Sequence, residues 1–93
     1  METIDKLLPV LKKYLNDDVK YNKSRETMLL FVKGEAIKLF STSNKFNVDI
    51  LSDIAAKGVV TLFQGIKKED ALKMLNEINT DKKLYDKIES LLK

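Results

Sequence analysis

The stretch that most constrains this chain is Asn47–Gly65, NVDILSDIAAKGVVTLFQG. Val48, Leu51, Ile54, Ala55, Val59, Leu62 and Phe63 recur at three- and four-residue spacing, which predicts a helix with a core-facing stripe. At about 100° per residue these positions and Ala56 cover roughly 200° of the circumference, more than a surface helix needs. The polar residues Asp49, Asp53, Lys57, Thr61 and Gln64 crowd mainly into the remaining arc. Such a helix has neighbours on several sides and reads as the centre of a small bundle. Its ends are punctuated. Asn47 suits the N-cap, with Phe46 before it placed to staple onto Leu51. Gly65 suits the left-handed position after the helix, with Ile66 folding back onto the last turn.

Ninety-three residues, read as one domain over 1–93, bury one modest core. A hydrophobic content of 44% with 33% charged residues fits a folded soluble chain and excludes an intrinsically disordered one. Cysteine is absent, which removes disulfides, thiolate metal sites and a thiol nucleophile. The N-terminus METIDKLLPVLKKYL carries acids early and charges throughout its apolar run, unlike a signal peptide. No run approaches the roughly 20 apolar residues of a membrane span. These features together predict a cytosolic protein. The net charge of +3 comes from sixteen lysines, one arginine and fourteen acids. That excess is weak, and lysine without arginine favours a solvated face over bidentate phosphate or base recognition.

The rest of the chain is helical in pattern. Ile4, Leu7, Leu8, Leu11 and Leu15 predict a helix over about 3–15, capped by Thr3, with Pro9 either kinking it or starting its regular part. NDDVKYNK, residues 16–23, reads as a polar connection, and Ser24 as the cap of a second helix over 24–42. That helix carries Met28, Leu29, Val32, Ala36, Leu39 and Phe40 as its main stripe. Leu30 and Ile37, seven residues apart, form a second seam about 100° away. This seam either packs against the first helix or meets a partner or second copy. Gly34 permits close approach of a neighbouring backbone. The central helix is placed at 47–64. Glu69 and Asp70 mark the first turn of a helix over 68–79, with Ala71, Leu72, Leu75 and Ile78 on its apolar side. Thr80 caps a last helix over 80–92 carrying Leu84, Ile88, Leu91 and Leu92, with Glu89 and Lys93 as an exposed i,i+4 pair. These last two either stay separate or merge into one bent helix. The expected fold is all-α, an antiparallel bundle of four to five short helices in which successive helices lie side by side.

The residue inventory offers no credible active site, metal or cofactor. Histidine is absent, which removes the commonest general base and metal ligand. Five serines among sixteen lysines match a Ser–Lys pair by chance, and Ser24 and Ser41 have roles at helix ends. Asp49 and Asp53 share a helix face in the manner of many solvated carboxylate pairs, and Asp17–Asp18 lacks the spacing and glycine of a calcium loop. The glycines at 34, 58 and 65 stand alone and form no phosphate loop. Lys20, Lys23, Arg25, Lys33 and Lys38, with Tyr21 among them, make weak nucleic-acid binding a competing expectation. Residues 47–79 do not make a helix–turn–helix, because residues 69–79 offer only Lys73, Asn76 and Glu77 for base reading beside several acids. The amphipathic first helix, with Lys6, Lys12 and Lys13, raises peripheral membrane contact, although its apolar stripe is explained more simply as core.

At Tyr14–Asn22, YLNDDVKYN, the chain resembles the immunity proteins that protect producers of pediocin-like (class IIa) bacteriocins. These small, lysine-rich cytosolic proteins often carry a similar tyrosine, acidic turn, Val-Lys and asparagine string between their first two helices. The similarity extends loosely over about residues 8–79, taking in STSNKFN and DILSDIAAKGVVTLF. It implies an antiparallel four-helix bundle without enzymatic activity. It also implies protein–protein contact from inside the cell with the mannose phosphotransferase membrane components captured by the bacteriocin. In that family the C-terminal half governs which bacteriocin is resisted, which carries partner contact to Lys82, Lys83, Tyr85, Lys87 and Lys93. The tight turn at Gly65–Ile66 and the helical C-terminus depart from the longer connection and irregular tail of several members. Other readings are a small regulator or inhibitor that binds a different protein, including as a homodimer through Leu30 and Ile37, and the nucleic-acid binder.

Overall fold

The computed structural model describes residues 2–41 and 48–92, apart from the side chain of Val48. The chain is all-α, with five helices: α1 (Glu2–Leu15), α2 (Asp18–Ser41), α3 (Val48–Leu62), α4 (Lys68–Glu77) and α5 (Lys82–Leu91). The Asn47 cap, the Phe46 staple and the Glu89–Lys93 pair lie outside the described residues or depend on one that does.

Burial follows the apolar spacing. Ile4, Leu7 and Leu11 of α1, Met28 of α2, Ala56, Val59 and Leu62 of α3 with Phe63 just beyond, Ala71, Met74 and Leu75 of α4, and Ile88 of α5 form one buried cluster. Each large side chain among them contributes about 1.5–3 kcal/mol of transfer free energy. Among the described residues no polar or charged side chain is buried, so the core is held by non-directional apolar burial. α3 packs against α1, α2 and α5, as its wide apolar arc predicts, and α1 also touches α2 and α4. The side-by-side expectation fails at one step. α4 packs on α1 and α5, while α5, not α4, lies against α3. The turn after α3 carries α4 onto α1, and the next turn returns α5 to the central helix.

The joints explain where local reading and structure part. Asn16 is left-handed at φ 45°, and its N–H donates to the Lys12 carbonyl at 3.1 Å, closing α1. Asp17 then caps α2, its Oδ1 accepting from the N–H groups of Val19 (3.0 Å) and Lys20 (3.2 Å). The polar connection expected over 16–23 is therefore two residues long. Ser24 lies inside α2 and is not its cap. α4 ends in a Schellman turn: Asn79 is left-handed at φ 53°, and the N–H groups of Asn79 and Thr80 donate to the carbonyls of Asn76 and Leu75. The Thr80 hydroxyl donates to the same Leu75 carbonyl at 2.9 Å, so Thr80 closes α4 and does not open α5. Asp81 opens it, accepting from the N–H groups of Lys83 and Leu84. α4 and α5 are thus separate helices. At the start of the chain, Thr3 lies within the first turn of α1, one residue past its first position. Pro9 sits inside α1, where its ring nitrogen has no hydrogen to donate to the Asp5 carbonyl, and the helix runs through it to Leu15.

Two glycines expected to matter behave oppositely. Gly65 takes φ +83° and turns the chain, with the Ile66 N–H donating to the Phe63 carbonyl at 2.9 Å and Ile66 packed against the core. Gly34 has no atom within 4 Å of where a Cβ would stand, so no neighbouring backbone approaches it. Gly34→Ala therefore raises stability by about 0.5–1 kcal/mol through helix propensity. Gly65→Ala lowers it by about 1–2 kcal/mol through left-handed strain. Urea unfolding followed by circular dichroism reads both signs, and the same sign for the two variants would contradict this assignment.

Candidate interaction surface

The longest helix is the least buried. Among its described residues only Met28 is fully buried, and Tyr21 and Val32 are partly buried against the core. The main stripe expected on α2 is therefore only half used. Leu29 is 46% exposed and Phe40, at 82%, stands almost fully in solvent. Leu30 and Ile37 are 64% and 58% exposed, so the seam does not pack against α1. Of the two expectations for this seam, the structure leaves the one of an unpartnered surface. Val19, Leu30 and Ile37 line the side of α2 opposite Met28, with Leu29 and Phe40 on its flank, and Asn22, Arg25, Glu26, Leu29, Leu30 and Lys33 enclose a shallow open groove there. Clustered large apolar side chains of this kind mark interaction surfaces, whereas a single exposed leucine does not.

The YLNDDVKYN string forms the α1–α2 joint itself. Tyr14 sits in the last turn of α1, Asn16 and Asp17 make the turn, and Val19 to Asn22 open α2. Two side-chain contacts fix the joint to the bundle. The Tyr14 hydroxyl donates to Oδ2 of Asp70 on α4 at 2.5 Å. The Lys12 ammonium lies 5.7 Å from the centroid of the Tyr21 ring, a cation–π contact between α1 and α2. Tyr14 and Asp70 also line an open groove between α1 and α4 with Val10, Lys13, Lys73, Met74 and Glu77.

The C-terminal candidates separate. Lys82 and Lys83 are exposed in the first turn of α5. Tyr85 is half-buried against the core. Lys87 is committed to α3, its Nζ lying 2.9 Å from Oδ1 of Asp53 and 3.3 Å from Oγ of Ser52. Lys87 therefore belongs to the α3–α5 contact and Tyr85 to the edge of the core, and Lys93 lies outside the described residues. The same ion pair occupies one carboxylate of the Asp49/Asp53 pair. Among the described residues no group of three or more acids gathers where a metal could sit.

The basic residues of α2 do not form a stripe. At about 100° per residue Lys20, Lys23 and Lys38 lie on one side and Arg25 and Lys33 on another, with Glu26 and Glu35 among them. Lys38 pairs with Glu35 at 3.5 Å, and Tyr21 is taken up by packing and by Lys12. The stripe of α1 that suggested membrane contact is spent on the core, where Ile4, Leu7 and Leu11 are buried. No described helix is long and apolar enough to cross a membrane. No protein-family model, characterised protein or solved structure matches the chain.

The hydrogen bond to Asp70 holds the Tyr14 hydroxyl above its ordinary pKa of 10.0, with desolvation and the negative charge of the carboxylate adding in the same direction. The neutral phenol is the form that donates, so this contribution to folding is complete below the ordinary tyrosine value. It is lost as pH rises through the elevated one. In ultraviolet titration one tyrosine ionises above the free-residue value, and Asp70→Asn brings that midpoint down. An unchanged midpoint in the variant would break the link between the two residues.

Proposed function

We propose that this chain is a non-enzymatic, cytosolic immunity protein that works by protein–protein contact at the inner face of the cell membrane. It protects a producer of a pediocin-like bacteriocin by engaging the receptor–bacteriocin complex formed on mannose phosphotransferase components. The observation that carries the reading is the place of YLNDDVKYN. It makes the joint between the first two helices, where the immunity proteins it resembles carry their similar string. The helical bundle agrees with the fold implied by that resemblance. Lys82 and Lys83, exposed at the start of α5, are the contact residues in the half that sets specificity in that family.

A second reading, a small regulator or inhibitor of another protein, is favoured by the exposed apolar side of α2. Expression in a bacteriocin-sensitive strain separates the two. The immunity reading expects survival at raised doses of at least one pediocin-like peptide, and a loss of that protection when Lys82→Glu and Lys83→Glu are combined in a chain that still folds. If no peptide of the class is tolerated better, immunity is excluded and the regulator reading stands.

A further inference from the structure

We infer that a second copy of this chain covers the outer side of α2, running antiparallel across a twofold axis that passes between Leu29 and Leu30. This stands independently of the immunity reading. The positions concerned follow one another at intervals of seven, four, three, four and three residues: Val19, Glu26, Leu30, Lys33, Ile37 and Phe40. That is the spacing of a helix–helix seam, here centred on the side away from Met28. It extends over about 32 Å of helix at 1.5 Å per residue. Val19 and Phe40, at 77% and 82%, are the most exposed large apolar side chains described and sit at its two ends.

The order of charge says which partner fits. Closed homodimers use one patch twice, so the patch must be complementary to itself. About the midpoint between Leu29 and Leu30, Val19 mirrors Phe40 and Glu26 mirrors Lys33. A twofold axis there sets Leu30 against Leu29 at the centre, Glu26 against the lysine of the other copy on both sides, Ile37 against Asn22, and Val19 against phenylalanine at each end. A parallel pairing would instead oppose Glu26 to Glu26 and Lys33 to Lys33. Within one chain these two charges lie about 10.5 Å apart along the axis, too far to pair. Neither makes an ion pair among the described residues. The inversion of charge about the centre has no use inside the monomer and has one across the axis.

Sedimentation velocity from micromolar to millimolar concentration tests this. The wild-type chain shifts from monomer towards dimer as concentration rises. Glu26→Lys and Lys33→Glu each place like charges opposite one another twice and weaken self-association roughly tenfold or more. Both positions are exposed, so helical circular dichroism is retained. An equimolar mixture of the two single variants makes every pair across the axis opposite again and recovers association to about the wild-type level. Recovery in the mixture, absent from either variant alone, supports the antiparallel pair. A wild-type monomer throughout the range overturns the proposal and leaves a different protein as the occupant. Equal association of wild type, single variants and mixture overturns the placement on α2.

Discussion

The burial of Val59, Leu62 and Phe63 at the C-terminal end of α3 holds the helices together. These side chains, almost wholly removed from water, meet a layer built from Leu7 and Leu11 of α1, Leu75 of α4 and Ile88 of α5. No buried polar group among the described residues adds direction to that layer. Apolar burial attracts without specifying an arrangement. The positions of the helices around α3 therefore have to be set elsewhere.

They are set at the turns. Each of the three described connections contains one residue with positive φ: Asn16 after α1, Gly65 after α3 and Asn79 after α4. A left-handed residue stops a helix within one turn and satisfies its last carbonyls as it redirects the chain. In two of the three an aspartate follows closely and caps the next helix, Asp17 for α2 and Asp81 for α5. Polar contacts at the surface then fix the pairs of helices so joined. Lys87 with Asp53 ties α5 to α3, Tyr14 with Asp70 ties α1 to α4, and Lys12 over Tyr21 ties α1 to α2. Exposed contacts of this kind contribute little stability individually. Their role is to select one among several arrangements that bury similar apolar area.

α2 stands apart from this economy. Its packing on α1 and α3 uses one side, yet its apolar residues run around much of the circumference. A helix that is apolar beyond its buried stripe is either enclosed by its own fold or completed by another surface. Enclosure fails here because α4 packs on α1 and α5, α5 packs on α3 and α4, and neither touches α2. The exposed side of α2 thus follows from the same turn at Gly65 that separates α4 from the central helix.

The helical class, the core stripe of α1, the central place of α3 and the glycine stop at 65 are all legible in the residue order alone. Each is a matter of local periodicity or backbone conformation, and neither depends on distant residues. The start of α2 at Asp18 was also encoded locally, in Asn16 as a left-handed stop followed by Asp17 as a cap, but the polar run DVKYNK masks it because that part of the helix buries little beyond Tyr21. The same holds for Asp81, which competed with Thr80 for one cap. Which of the apolar side chains are used depends on how the helices are arranged. Leu30 and Ile37 have the same spacing whether they face α1 or solvent, and nothing local to α2 distinguishes the two. Periodicity reports that a helix has an apolar side, but the path of the chain through its turns decides whether anything is there to meet it. Lys87 is the converse case, a surface residue in the pattern that the return of α5 to α3 brought into a contact with Asp53.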